Sequence, residues 1–193
     1  MSAARPKRLL GIIAVLLAAA ALVAFIASSI DPADPADSPA AASIDPGTVA
    51  DGPVGATERA EVIRVVDGDT IVVRIDGREE RVRYIGLDAP EVANARAGPR
   101  AECGGEEARI ANERLVAGER LVLERDVSDR DRFDRLLRHA WSEDGGWRLV
   151  GLELVASGAA EARPYPPDTR RDDELAAAER SARDRGAGLW SAC

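Results

Sequence analysis

Residues 59–87 read RAEVIRVVDGDTIVVRIDGREERVRYIGL, and this stretch decides the fold. Its short runs of β-branched residues predict three strands, at 59–66, 70–75 and 79–87. Asp67-Gly68-Asp69 separates the first two strands, and Asp76-Gly77, a strong hairpin signal, separates the second from the third. The stretch therefore predicts a three-stranded meander.

Helices and further strands follow the meander along the chain. A helix is predicted over 104–117, because Ala108, Ala111 and Leu115 share one of its faces. Beyond it the patterns predict strands at 120–125 and 134–142 and helices at 148–157 and 171–185. A helix between the third and fourth of five strands predicts an α+β domain with a five-stranded OB-type barrel and about three packed helices.

The first 30 residues have the composition of a membrane segment. Three basic residues precede an apolar run of nineteen residues, Leu9–Ala27, which is about 28 Å long as a helix and close to a bilayer core. The run predicts a transmembrane anchor that contacts the membrane through residues 9–30, with the rest of the chain exported. A cleavable signal peptide is the alternative, since Ala27-Ser28-Ser29 offers small residues. A buried helix of a soluble core is a third interpretation. The domain would then lie outside the cell membrane, or be secreted if the segment is cleaved.

Residues 31–56 predict a disordered linker, because they hold five of the eleven prolines and show no helical or strand period. The folded domain is then expected over 57–193. The whole chain has 26 basic and 34 acidic residues, a net charge of −8. Without residues 1–56 the balance is 23 against 29, so the domain itself is acidic. This charge excludes a generally basic nucleic-acid coat.

Four acidic residues form two clusters at strand ends. Asp67 and Asp69 flank a glycine after the first strand, and Asp88 and Glu91 follow the third. Since these strands are neighbours, Asp69 and Asp88 are expected to converge, and two carboxylates with a backbone carbonyl and water suit Ca²⁺. The alternative is that both motifs are only turn sequences.

Arginines supply the complementary charge. Arg83 lies on the third strand, and four more arginines surround Phe133: Arg130, Arg132, Arg135 and Arg138. A guanidinium binds phosphate with two hydrogen bonds, so these residues favour a phosphodiester substrate. The alternative is a solvated surface on which the arginines pair with nearby aspartates.

The order and spacing of four motifs resemble those of the staphylococcal nuclease, or thermonuclease, family. They are VVDGDT (65–70), VRYIGLDAPE (82–91), DRFDR (131–135) and GLW (188–190). The resemblance covers nearly all of 57–193. It implies an OB-fold barrel with packed helices and Ca²⁺-dependent hydrolysis of DNA and RNA that leaves 3′-phosphate ends.

The resemblance also implies a metal site. The carboxylates of Asp69 and Asp88 and the backbone carbonyl of Ala89 match the calcium ligands. Asp67 matches an acid that lies near the metal without binding it directly.

The implied catalytic residues are Glu91, Arg83 and Arg135. Glu91 matches the general base that activates the attacking water. The two arginines match those that bind the phosphate and stabilise the transition state.

The substrate contacts depart from the family pattern. Arg132 stands where the family often has a lysine that contacts a terminal phosphate. Tyr165 is the tyrosine available to stack on a base. Asp134 stands where the family usually has glycine, so this carboxylate beside Arg135 is expected to lower the affinity for phosphate.

Cys103 and Cys193 are the two cysteines, which allow one disulfide or none. If the domain is exported into an oxidising compartment, the two cysteines are expected to pair. The bond would close a loop of about ninety residues.

Two other functions compete with a nuclease. One is a non-catalytic OB-fold module that binds nucleic acid, and the other is a calcium-binding surface domain with a different target. A non-catalytic module would be expected to lack some of the five matched acids and arginines, and all five are present. His139, the only histidine, is expected to have a structural role, and the protein is expected to be a monomer.

Overall fold

The computed structural model describes residues 51–93 and 100–193. The predicted anchor, its membrane contact at 9–30 and the linker up to residue 50 lie outside the described residues. Within the two described ranges, no helix has the length and apolar character needed to span a membrane.

Eight strands and four helices are found in these ranges. The strands are β1 (Thr57–Val65), β2 (Thr70–Ile75), β3 (Arg78–Tyr84), β4 (Leu87–Asp88), β5 (Arg120–Glu124), β6 (Leu136–Ser142), β7 (Arg148–Leu149) and β8 (Glu161–Ala162). The helices are α1 (Gly105–Val116), α2 (Val150–Ala156), α3 (Asp172–Asp184) and the single-turn α4 (Leu189–Ala192).

Five of the strands form a closed barrel. β1 pairs antiparallel with both β2 and β5, β2 with β3, and β5 with β6. The parallel pairing of β3 with β6, which sets Val82 beside Leu136, closes the barrel. The predicted five-stranded OB-type barrel with packed helices is therefore confirmed.

The barrel interior and the helices share one apolar core, because inward-facing side chains alternate along the strands. Its largest fully buried members are Trp141, Ile71, Leu87, Leu121, Leu123, Leu149, Leu154 and Leu175. Leu175 belongs to α3, so this helix packs on the same core as the strands. Packing of this core holds the ends of the strands in place, and the loops that carry the acidic and basic motifs begin at these strand ends.

The prediction of one strand over 79–87 is wrong at its end. β3 stops at Tyr84, and the chain turns at Gly86, whose φ is +82°. A Cβ at Gly86 would also lie 2.5 Å from Leu175 Cδ1. A residue with a side chain is therefore disfavoured at this position both by the backbone conformation and by the available space. The turn directs Asp88 back toward Arg83.

The helix predicted over 148–157 starts later than expected. Arg148 and Leu149 form β7, which pairs with β6, and α2 begins at Val150. Tertiary pairing thus takes the first residues of the predicted helix into the sheet.

A buried carboxylate anchors the segment that enters the barrel. Glu124 is fully buried and accepts hydrogen bonds from the backbone N–H groups of Val54 and Gly55, at 3.1 and 2.9 Å. It also accepts one from Trp141 Nε1 at 2.9 Å and pairs with Arg170 at 2.8 Å. The last residues of the predicted linker therefore pack on the barrel, and the folded part begins before residue 57.

Cys103 and Cys193 form the expected disulfide, with their Cα atoms 5.9 Å apart. Cys103 lies two residues before α1, and Cys193 directly follows α4. The bond therefore joins the start of one helix to the end of another across a sequence separation of 90 residues.

Removing this bond should destabilise the domain. In the chain-entropy model a loop of this length is worth about 4 kcal/mol, so the double variant Cys103→Ser/Cys193→Ser should lose about that much free energy of unfolding. Urea denaturation of the variant and of the wild type measures the difference. The fully reduced wild type should match the variant. Equal stability of oxidised and reduced protein would contradict the prediction.

A second prediction concerns pH and the buried His139. Its Nε2 atom is buried, has no hydrogen-bond partner among the described residues, and lies 3.8 Å from an Asp126 carboxylate oxygen. Burial lowers the pKa of His139 below its ordinary value, although Glu124 and Asp126 oppose the shift. The unfolded chain therefore binds a proton here more readily than the folded one, and stability should fall as the pH drops below about 6.5.

The variant His139→Gln isolates this contribution. Urea unfolding of both proteins between pH 7.5 and 5 should show a smaller loss of stability in the variant. Parallel pH profiles would contradict the assignment.

Candidate active site

The loop between β1 and β2 presents a buried carboxylate. Asp69 is 2% exposed, and its Oδ1 accepts a hydrogen bond from Thr70 Oγ1 at 2.9 Å. Its Oδ2 accepts one from the backbone N–H of Ala89 at 2.9 Å. Asp67 Oδ1 accepts the backbone N–H of Asp69 at 3.1 Å, which fixes the turn. Asp67 thus orients Asp69, and Asp69 holds the chain just after β4.

Gly68 is required by close packing between these two acids. A Cβ there would come within 2.5 Å of Ala89 Cβ and 2.7 Å of Ala108 Cβ. The loop is therefore held tightly between the segment after β4 and helix α1.

Arg83 joins the two acidic clusters. Its side chain is 11% exposed, and its guanidinium contacts Asp69 Oδ2 through Nη1. Nη2 lies 2.6 Å from Asp88 Oδ1 and 3.2 Å from the backbone carbonyl of Leu87. The structure thus brings together Asp69, Asp88 and Arg83, as expected from the neighbouring strands.

A second arginine, which sequence reasoning missed, reaches the same aspartate. Arg163 Nη1 lies 2.8 Å from Asp88 Oδ2. Arg163 follows β8, the strand that pairs with β4. Both strands have two residues, so no period in the sequence marks this pairing.

Asn112 supports the acidic loop from α1 and was also missed. It is fully buried, and its Nδ2 donates to the carbonyl of Asp67 at 2.9 Å. Its Oδ1 accepts a hydrogen bond from the Tyr84 hydroxyl at 3.0 Å. A polar residue next to the predicted apolar face of the helix was the available signal.

Arg135 lies beside the other end of the loop. Its Nε and Nη2 lie 2.7 and 2.6 Å from Asp131 Oδ2, and its Nη1 lies 3.5 Å from Thr70 Oγ1. Both side chains of this pair are largely buried, at 19% exposed for Arg135 and 16% for Asp131. Thr70 thus stands between Arg135 and Asp69.

Asp134 does not meet Arg135 as expected. Its side chain is 88% exposed and its carboxylate lies 3.6 Å from Arg130. Its φ is +62°, a conformation that glycine adopts more readily. The carboxylate that contacts Arg135 is that of Asp131.

Arg83 and Arg135, the two predicted catalytic arginines, line one cleft of about 450 Å³. Its lining also includes the predicted substrate contacts Arg132 and Tyr165, together with the exposed Phe133. The Arg132 guanidinium lies 4.6 Å from the centroid of the Phe133 ring. The cleft therefore combines cations with exposed aromatic faces, which are groups that bind phosphates and bases.

Glu91 lies at the surface with part of its carboxyl shielded from water, and it does not line this cleft. Its backbone pairs with Glu102: the N–H donates to Glu102 Oε2 at 3.0 Å, and the carbonyl accepts the Glu102 N–H at 2.9 Å. Partial burial raises the pKa of Glu91, and the negative charge of Asp67 adds to the shift. The carboxyl is therefore a better proton acceptor than an ordinary glutamate.

The predicted metal ligands are oxygen donors held in one place. Asp69 and Asp88 meet the same guanidinium, so both carboxylates face a common site of positive charge. In residues 51–93 and 100–193, no three acidic, histidine or cysteine side chains are grouped as a metal site. Two carboxylates with the Ala89 carbonyl fit a hard cation that fills its remaining positions with water or phosphate.

The chain is similar to known proteins over this region. Residues 81–192 match the family model described as staphylococcal nuclease homologue. The thermonuclease of Staphylococcus hyicus is 31% identical over 131 residues, which cover 68% of this chain and 75% of the relative. Protein ParB of Escherichia coli is 34% identical, with coverages of 69% and 72%. Endonuclease YncB of Bacillus subtilis is 35% identical, with coverages of 66% and 59%.

Asn112 should prove necessary for the stability of the acidic loop. In the variant Asn112→Ala the Tyr84 hydroxyl and the Asp67 carbonyl lose their buried partner, so unfolding should become easier by about 2 kcal/mol. The control Tyr84→Phe removes one hydrogen bond only and should cost about 1 kcal/mol. Urea unfolding measures both, and an Asn112→Ala protein as stable as wild type would disprove the support role.

Proposed function

Because this chain belongs to the family of staphylococcal nuclease homologues, we propose that it hydrolyses phosphodiester bonds of DNA and RNA and leaves 3′-phosphate ends. One observation carries the proposal. Arg83 and Arg135 line a single cleft beside the paired carboxylates of Asp69 and Asp88. Relatives named thermonuclease and endonuclease support it.

The arginines bind the scissile phosphate in this proposal. In the structure Arg83 pairs with Asp69 and Asp88, and Arg135 pairs with Asp131. These carboxylates hold both guanidinium groups in place, so a phosphate meets donors that are already oriented. Hydrogen bonds from two guanidinium groups stabilise the charge that develops on the phosphate oxygens.

Asp69, Asp88 and the carbonyl of Ala89 would hold a Ca²⁺ ion, with Asp67 orienting Asp69 through its backbone N–H. When bound, the ion would add positive charge where negative charge builds up on the phosphate. The donor set supports this choice, since calcium prefers carboxylate and carbonyl oxygens.

Glu91 acts as the general base. It takes a proton from a water molecule whose oxygen attacks the phosphorus, and the bond between phosphorus and the 5′ oxygen breaks. The phosphate stays on the 3′ oxygen, and the leaving 5′ oxygen takes up a proton. The raised pKa of Glu91 supports its role as the base, because a base is most effective when its pKa approaches the working pH.

Arg132 and Tyr165 contact the rest of the substrate. Arg132 binds a neighbouring phosphate, and the Tyr165 ring, which is 45% exposed, stacks on a base. Both side chains lie in the same cleft as the catalytic arginines. Stacking of this kind tolerates any base, which suits a nuclease acting on many sequences.

We further propose that the domain is exported and held at the membrane by residues 9–30. The apolar run behind basic residues supports the anchor. The disulfide supports export, because such bonds persist in oxidising compartments.

Activity assays on the full-length protein test this function. With single-stranded DNA and CaCl₂, the variant Glu91→Gln should lose roughly 10²-fold or more in rate. Arg135→Ala should lose a similar factor. EDTA should abolish cleavage by the wild type.

Arg59→Gln serves as the control, because Arg59 is exposed and pairs only with Glu143 among the described residues. Its activity should equal that of the wild type. A wild-type protein that binds DNA in CaCl₂ without cutting it would favour the non-catalytic module instead.

A further inference from the structure

Both oxygen atoms of the Asp88 carboxylate are occupied by arginines. Arg83 Nη2 lies 2.6 Å from Oδ1, and Arg163 Nη1 lies 2.8 Å from Oδ2. A cation that binds Asp88 must therefore displace or repel at least one guanidinium. Which arginine moves depends on how each is held.

The two arginines are held very differently. Arg83 is 11% exposed and also binds Asp69 and the carbonyl of Leu87. Arg163 is 59% exposed, and Asp88 is the one carboxylate that it meets among the described residues. The pair between Arg163 and Asp88 is partly exposed on both sides, and such exposed pairs are weak. Arg163 is therefore the more easily displaced of the two arginines.

The backbone keeps Arg163 close after its side chain leaves. β8 pairs with β4, with Asp88 opposite Glu161. The N–H of Arg163 donates to the carbonyl of Gly86 at 2.8 Å. The side chain of Arg163 can therefore change conformation while its backbone stays in place, so the guanidinium charge remains close to Asp88.

The guanidinium already lies at the edge of the cleft. It is 5.8 Å from the centroid of the Tyr165 ring, and Tyr165 lines the cleft with Arg83 and Arg135. Released from Asp88, the guanidinium is placed to meet a nucleic-acid phosphate that enters the cleft.

We propose that Arg163 is a built-in counter-ion of Asp88 that a divalent cation displaces, and that the displaced side chain then binds a phosphate of the nucleic acid. This inference rests on the proposed function. It makes Arg163 a positioning residue that couples the two ligands: the cation strengthens nucleic-acid binding, and nucleic acid strengthens cation binding by the same factor.

Calcium titration of the full-length protein without nucleic acid tests the first half. Isothermal titration with CaCl₂ should show binding roughly threefold to fivefold tighter in Arg163→Gln than in wild type, which is the size expected for losing an exposed competing pair. Arg163→Lys should lie between them. The control Arg59→Gln makes the same change of net charge at a distant ion pair and should leave the affinity unchanged.

DNA binding tests the second half. Fluorescence anisotropy with a single-stranded DNA oligonucleotide is measured with CaCl₂ and with EDTA, in a Glu91→Gln background that prevents cleavage. The gain in affinity on adding CaCl₂ should be roughly threefold smaller when Arg163→Gln is also present. Arg163→Lys should recover part of the gain.

The outcomes separate this inference from the function on which it rests. Equal or weaker calcium binding by Arg163→Gln, or an unchanged gain in DNA affinity, would overturn the inference even if the wild type cuts DNA. A wild type that does not cut DNA, with both shifts observed, would overturn the nuclease and leave the counter-ion role of Arg163 standing.

Discussion

The arrangement of the cleft depends on one buried guanidinium. Arg83 is almost fully enclosed and contacts two carboxylates that come from different turns, Asp69 and Asp88. Without the Arg83 guanidinium between them, the negative charges of Asp69 and Asp88 would repel each other, and burial would make this repulsion costly. The tight turn around Gly68 and the turn at Gly86 bring the acids to Arg83, so the loop geometry and the charge pairing require each other.

Pairing of arginines with carboxylates also explains how an acidic domain offers a site for an anion. Arg135 is held by Asp131, and Arg163 by Asp88. Each aspartate cancels the charge of one arginine in the net charge of the domain, and Asp131 also fixes where the guanidinium of Arg135 points. The net charge therefore determines the electrostatic potential far from the protein, whereas the positions of individual charges determine the potential inside the cleft.

The sequence was sufficient for the barrel and for its acidic and basic motifs, because strand periodicity and turn residues are local signals. Prediction from the sequence failed for features that depend on contacts between residues far apart in the chain. Arg163 meets Asp88 through two strands of two residues each, which are too short to have a period. Asn112 looked like an ordinary polar residue until the Asp67 loop was packed against α1. Val54 and Gly55 looked like linker, because Glu124, the carboxylate that binds their backbone N–H groups, is 70 and 69 positions away.

The parallel closure of the barrel has a consequence for the order of folding. β1 to β3 are joined by short turns and form from local contacts, whereas the pairing of β3 with β6 brings together residues far apart in the chain, such as Val82 and Leu136. Closing such a long loop is slow, because its entropy is lost before the contacts compensate for it. Arg83 and Arg135 come from the two sides of this seam. A chain that has folded only its first hairpins thus has Asp69 and Arg83 without Arg135 beside them, and the complete cleft requires the closed barrel.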